Sequence, residues 1–214
     1  MLKIQAFTFN PFSENTYVIW DDSSLQAAIV DPGCMDYAEI TVLDNFLTQE
    51  KLIPTLLLNT HCHIDHVLGN HHVSIKYNLS LHAHALEKSV LEWSQSAALL
   101  YQLPYEPSPA IATFLQEGDT LFLGGEKIEV LFTPGHSPGS VTFVSHSAQF
   151  ALVGDVIFRE SIGRTDLPGG DFATLSQSIQ SKIYSLPPHY LLYNGHGSPT
   201  DVRHEMQYNP FVKA

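Results

Sequence analysis

The sequence predicts a layered α/β or α+β domain, and three observations carry that reading. Short apolar runs of strand length, bounded by turn-forming residues, recur along the whole chain. Stretches with helical character lie between them, so strand clusters alternate with helices. The length of 214 residues, with 44% hydrophobic and 15% charged, allows one sizeable core, and no low-complexity tract or like-charge run marks a linker. One domain spanning residues 1–214 is expected.

The N-terminal stretch Met1 to Phe9 alternates like a strand and lacks the continuous apolar run of a signal peptide. Strands are expected near 2–9, 15–20 and 26–31, followed by an amphipathic helix from Tyr37 to Glu50 and a buried strand from Pro54 to Leu58. Val67 to Tyr77 reads as helix, Ser80 to Ala83 as a short strand and Ala85 to Leu103 as a longer helix, which the Pro-rich loop Pro104 to Pro109 ends. The second half repeats the style, with strands near 119–123, 126–132, 140–145 and 149–153. A helix from Phe172 to Tyr184, a strand from Tyr190 to Tyr193 and a short terminal helix complete it, with Asp171 a candidate cap for the helix starting at Phe172.

The formal net charge is −12, from 22 acidic and 10 basic residues, which argues against nucleic acid because phosphate binding needs a basic surface. An anionic ligand would need local cations, and Arg159, Arg164 and Arg203 are the candidates. No run approaches membrane-spanning length, so a soluble cytoplasmic protein, monomeric or a small homo-oligomer, is expected without a membrane partner. The cysteines, Cys34 and Cys62, fit neither a two-Cys metal spacing nor a disulfide framework.

The segment His61-Cys62-His63-Ile64-Asp65-His66 packs three imidazoles and a carboxylate directly after an apolar run. In an extended stretch the side chains of His61 and His63 point the same way and can grip one ion, and a turn into a helix would aim Asp65 and His66 at a second point close by. The thiol of Cys62 should point the opposite way and pack without ligating. Three later fragments each place a polar residue at the end of an apolar run: His136 in Thr133-Pro134-Gly135-His136, Asp155 in Leu152-Val153-Gly154-Asp155, and His196 in Asn194-Gly195-His196. Loops at strand ends are held by the core yet stay open to solvent, which suits a site. By contrast, His82-Ala83-His84 repeats the alternation without a following Asp-His pair and reads as structural; His71, His72, His146, His189 and His204 have no such context either.

The six-residue motif followed by a spaced His, Asp and His resembles the metallo-β-lactamase superfamily nearly end to end. The resemblance implies an αββα sandwich, two mixed sheets packed face to face with helices on both outer faces and the site along one edge. It also implies a first metal held by His61, His63 and His136, a second held by Asp65, His66 and His196, and Asp155 bridging them. Two divalent ions are expected, zinc foremost with iron or manganese as alternatives. Asp65 is also expected to be catalytic.

Within that superfamily, Asn10-Pro11-Phe12-Ser13-Glu14-Asn15-Thr16-Tyr17, Val30-Asp31-Pro32-Gly33 and Ser161-Ile162-Gly163-Arg164-Thr165-Asp166-Leu167-Pro168-Gly169-Gly170-Asp171 resemble the short glyoxalase II-like hydrolases. These act on thioesters of small thiols such as 2-hydroxyacylglutathione. A thiolate leaves readily, its thiol having a pKa near 8.5, whereas an amine needs a proton to depart. Asp31 is either an ordinary Asp-Pro-Gly turn or an acceptor for the free ring nitrogen of a ligand histidine. Arg164 is expected near the mouth, pairing with a substrate carboxylate or holding Asp166 or Asp171. Longer glyoxalase II enzymes carry a C-terminal helical region that helps hold glutathione, but only 18 residues follow His196 here, so the thiol half of the site is expected to be built differently, to be less selective, or to recognise another thiol. The alternatives are a persulfide dioxygenase of the same fold, with one iron on two His and one Asp, and another metallo-hydrolase such as a lactonase or β-lactamase.

Overall fold

A computed structural model describes residues 1–214. Two six-stranded sheets face each other. The first runs in the order β1 (Leu2–Phe9), β2 (Glu14–Asp21), β3 (Gln26–Val30), β4 (Ile53–Leu58), β5 (Leu81–His84), β6 (Ile111–Leu115). It is antiparallel from β1 to β3 and parallel from β3 to β6. Helices α1 (Tyr37–Gln49), α2 (Ile64–Val67), α3 (Asn70–Tyr77) and α4 (Lys88–Tyr101) lie in its parallel crossovers. The second sheet contains β7 (Thr120–Leu123), β8 (Glu126–Phe132), β9 (Val141–Ser145), β10 (Phe150–Gly154), β13 (Leu191–Asn194) and β14 (Thr200–Asp201). Only β10 and β13 pair in parallel there, joined through the hairpin β11 (Ile157–Phe158) and β12 (Ser161–Ile162) and helix α5 (Phe172–Ser178); α6 (Val202–Tyr208) follows β14.

Alternation along the strands builds the layers. In β2, Tyr17 and Ile19 face the core between the sheets with Leu58, Val130, Phe143 and Leu152, while Val18 and Trp20 face outward onto Leu43 and Leu47 of α1. Both faces are covered, so every residue of β2 is buried. The second sheet does the same, turning Val144, Ala151 and Val153 outward onto Leu175 of α5, Ile179 and Val202 of α6. Two mixed sheets with helices on both outer faces match the fold class read from the sequence.

The expected elements are present with local differences. The helix expected over Val67–Tyr77 breaks at Leu68 and Gly69 into α2 and α3, where a Cβ on Gly69 would fall 2.5 Å from Cys34 Sγ and 2.9 Å from Pro32 O. The helix expected to Tyr184 widens into a π-type turn over Ile179–Ile183. Strand β6, the β11–β12 hairpin and β14 carry no clear sequence signal, being short or edge strands whose pairing comes from tertiary contact. Asp171 caps α5 as expected, accepting from Thr174 N at 2.7 Å. No helix is long and apolar enough to cross a membrane.

Candidate metal centre

Chain turns at one end of the two sheets carry all seven candidate ligands. His61 and His63 follow the last residue of β4, Asp65 and His66 lie in α2, His136 in the β8–β9 connection, Asp155 just after β10 and His196 just after β13. The sheets are stitched there through Val141 N donating to Thr60 O at 2.8 Å and Asn15 N donating to Gly195 O at 2.7 Å. A side chain at Gly195 is excluded, because its Cβ would fall 2.0 Å from Asp155 Oδ1 and 2.8 Å from His66 Cε1.

The donor atoms form two triads. Those of His61, His63 and His136 lie within 4.8 Å of one another, as do those of Asp65, His66 and His196. Asp155 sits between them: its Oδ2 is 3.5 Å from His136 Nε2 and 3.4 Å from His196 Nε2, and its Oδ1 is 3.5 Å from His66 Nε2. Asp65 Oδ2 stands 3.2 Å from His196 Nε2 and 3.6 Å from His66 Nε2. Buried polar atoms are almost always satisfied. Yet His61 Nε2, His66 Nε2 and Asp155 Oδ1 have no hydrogen-bond partner, and all three point into this cluster. Imidazole and carboxylate donors in two converging sets fit a dinuclear site for first-row ions.

The far ring nitrogens are fixed by partners that select the tautomer. His136 Nδ1 donates to Arg164 O at 2.8 Å and His196 Nδ1 to Phe12 O at 3.0 Å, turning each Nε2 into the cluster. His63 instead turns Nδ1 inward, 2.9 Å from His136 Nε2. Asp31 serves both triads. Its Oδ2 is 3.2 Å from His66 Nδ1 and accepts at 2.5 Å from Thr60 Oγ1, which itself lies 3.1 Å from His61 Nδ1. The same residue occupies the turn after β3 at φ 49°, so its backbone and its carboxylate each have a role.

Three contributors had no assigned role in the sequence reading. Thr60 relays Asp31 to His61; its place beside His61 is the only signal it gives. Glu87 is fully buried and accepts from Cys62 N at 2.6 Å, Ser137 Oγ at 2.5 Å and Gly139 N at 2.7 Å, tying the His61–His63 turn to the His136 loop. Its place in a short turn before α4 has no motif. Glu14 lies buried with Oε1 3.9 Å from His66 Nδ1, and burial pushes its carboxyl well above the usual range.

Electrostatics separate the triads. Burial, reinforced by charge on neighbouring imidazoles, holds His61 well below the ordinary imidazole value and brings His63 down to about 3; burial also lowers His136. Burial opposes charge on His66 and His196 too, but the Asp65 and Asp155 carboxylates outweigh it, raising His66 and taking His196 up to about 10. Both carboxyls are in turn held low against burial, chiefly by the charge on His66. One triad thus presents neutral imidazoles, and the other holds protons that an ion must displace.

The remaining sequence expectations also find their places. Cys62 is fully buried in a cluster with Val67, Ala83, Ala97 and Ala98 and belongs to neither triad. His84 caps the turn at Ala85–Glu87, accepting from Leu86 N at 3.2 Å, and stacks on Phe132; His82 bonds Ser80 O. Arg164 reaches the cavity over the triads, and of its two expected roles the guanidinium takes the second, a bidentate hold on Asp166 at 2.7 Å through Nε and 2.7 Å through Nη2. Arg159 and Arg203 do not line that cavity.

Comparison with known proteins agrees with this geometry. Residues 9–196 match the family model described as the metallo-β-lactamase superfamily. A probable metallo-hydrolase of Bacillus subtilis is 37% identical over 99% of this chain and 98% of its own length. The hydroxyacylglutathione hydrolase GloC of Haemophilus influenzae is 34% identical over 100% of this chain and 99% of its own. Among solved structures, the BLEG-1 B3 metallo-β-lactamase superposes with a TM-score of 0.90 at 34% identity, covering 99% of this chain and 100% of that one. The protein TTHA1623 in a di-iron-bound form gives a TM-score of 0.86 at 33% identity, over 97% and 100% respectively. With its fold, its paired triads and these relatives in agreement, the chain belongs to the metallo-β-lactamase superfamily.

Proposed function

We propose that this metallo-hydrolase cleaves thioesters of small thiols, of the 2-hydroxyacylglutathione type, at a centre of two divalent ions, zinc in the first instance. The observation that carries the reading is Asp155, one carboxylate shared between two complete triads. His61, His63 and His136 would hold one ion and Asp65, His66 and His196 the other, with Asp155 between them. Two such ions, when bound, would supply Lewis acidity and would lower the pKa of water from 15.7 toward roughly 7, making hydroxide available at neutral pH.

The chain's own residues do the positioning. Asp31 and Thr60, with the Phe12 and Arg164 carbonyls, keep the ligand nitrogens aimed inward. Asp65 and Asp155 would place negative charge against the ions and reduce the net charge of the centre. In the reaction, a C–O bond forms from water to the acyl carbon and the C–S bond breaks. The thiolate departs without needing a proton first, the acid is the other product, and the proton from water passes to solvent or thiolate. Similarity to the Haemophilus hydroxyacylglutathione hydrolase supports this choice of bond.

A lactam amide is the second reading, favoured by the likeness to the BLEG-1 enzyme. An iron dioxygenase, with one iron on two His and one Asp, is the third reading, since the same seven residues contain such a set. The test compares one metal-loaded preparation on S-lactoylglutathione, on a chromogenic cephalosporin and, by oxygen uptake, on glutathione persulfide. Release of thiol from the first substrate, in excess of turnover of the other two, is expected. Oxygen consumption with the persulfide, or lactam cleavage without thioester cleavage, would reject the proposal.

A further inference from the structure

The cavity over the triads, with a volume of about 520 Å³, falls in the range of small-molecule sites. One face of α4 forms a wall, turning Val90, Trp93, Ala97, Leu100 and Tyr101 inward at helical spacing. Across from it stand Phe12, whose ring meets Tyr101 edge-on at 5.3 Å, and Phe158, whose ring meets His196 at 6.0 Å. Trp93 and Leu100 are 52% and 65% exposed, so this wall offers apolar surface that the fold itself leaves uncovered. A concentration of such surface around a concave site marks ligand contact.

The charge of the cavity points the same way. Arg164 is the sole Arg or Lys lining it, and the Nε–Nη2 edge of its guanidinium is held by Asp166. The chain as a whole carries −12. A ligand with several carboxylates would lose its hydration there with only one cationic side chain, already paired to Asp166, to meet it beyond the metal centre.

We propose that the site selects thioesters bearing an uncharged apolar group, aromatic or branched aliphatic, that packs on the α4 wall while the thioester carbonyl lies over the triads. The proposal rests on the thioesterase reading. The apolar group can belong to the acyl or the thiol half, and the test separates them. Four thioesters are compared on the metal-loaded enzyme: lactoyl and mandeloyl esters of N-acetylcysteamine, the lactoyl ester of benzyl mercaptan, and lactoylglutathione.

Burying a phenyl ring should raise kcat/KM roughly tenfold to a hundredfold over the lactoyl N-acetylcysteamine ester. Preference for the mandeloyl ester assigns the wall to the acyl half, and preference for the benzyl ester assigns it to the thiol half. Trp93→Ala and Leu100→Ala, both at exposed positions, should each erode that preference several-fold without changing the melting temperature. Lactoylglutathione exceeding both aromatic esters, with the ratios untouched by either variant, would overturn the proposal. Binding of a non-hydrolysable phenyl-bearing thioether, followed by tryptophan fluorescence with Trp93→Ala as the blank for Trp20, provides a separate readout. If no thioester is turned over while this probe binds and Leu100→Ala weakens it, the hydrolase reading fails and the apolar site stands; absence of any phenyl preference in binding rejects the site itself.

Discussion

Replacing Asp31 by Asn should strip the second ion while leaving the fold intact. Asn is chosen because the position has φ 49°, a left-handed conformation that Asn tolerates and Ala does not. Asp31 Oδ1 accepts from Thr60 N at 2.7 Å and Asn59 Nδ2 at 3.2 Å, so the amide oxygen must remain on that side. The new amide nitrogen then takes the place of Oδ2, facing Thr60 Oγ1 and His66 Nδ1. The hydroxyl can rotate to accept, but His66 can accept only by moving its proton to Nε2, the atom that must bind the ion. Binding the ion therefore requires giving up this buried hydrogen bond, at about 1–3 kcal/mol, or roughly 5- to 150-fold in affinity of the second site. Competition against a chromophoric chelator, with elemental analysis after gel filtration and a melting curve, would measure it. Two ions retained at unchanged affinity, or loss of the first ion with the second kept, would refute the role given to Asp31.

Further outcomes follow from the same geometry. Asp155→Ala should lose the second ion and nearly all turnover, because the two cations would face each other without the shared carboxylate; elemental analysis and kcat check this, and full activity would contradict the assignment. Loading the second site at pH 7 should release about two protons, from His66 and His196, whereas loading the first should release almost none, as calorimetry in buffers of different ionisation enthalpy would show. The sign follows from the shifts: protons are held below the raised values, so second-site affinity rises with pH until His196 titrates near 10, while first-site affinity, with its imidazoles lowered, depends less on pH. In the metal-free chain, the stability that His196 contributes is full below the ordinary imidazole value of 6.5 and is lost as pH climbs through about 10, which thermal melts across that window would detect. Arg164→Ala should leave the melting temperature nearly unchanged, since its pair with Asp166 is exposed, and should penalise charged and uncharged thioesters equally; a KM increase confined to the carboxylate-bearing substrate would show that the guanidinium leaves Asp166 to bind it.

How much of this was legible depended on whether a residue's role lay in its own neighbourhood. The motif from His61 to His66 announced its metal chemistry through spacing alone, and Asp171 announced a helix cap through position. The convergence of His136, Asp155 and His196 on that motif came from resemblance, because residues so distant in sequence meet only after two sheets have packed. Glu87 shows the limit. Its carboxylate joins Cys62, Ser137 and Gly139 across three chain segments, yet in the sequence it is an unremarkable acid in a helical stretch. Asp31 stood between two readings, and the structure gives it the turn and the histidine contact together. Strand β6 was missed because its pairing partner β5 sits a full helix and a Pro-rich loop away, where local propensity has little weight.

The most direct test of the central claim is metal stoichiometry measured on the wild-type chain and on two disrupted forms. Protein purified without chelator, or reconstituted with zinc, should carry two ions per chain. His63→Ala should retain an ion in the second triad only, and His196→Ala an ion in the first only, each read by elemental analysis and by the spectrum of the cobalt-substituted form. A reproducible single iron per wild-type chain, unaffected by His196→Ala, would contradict the account.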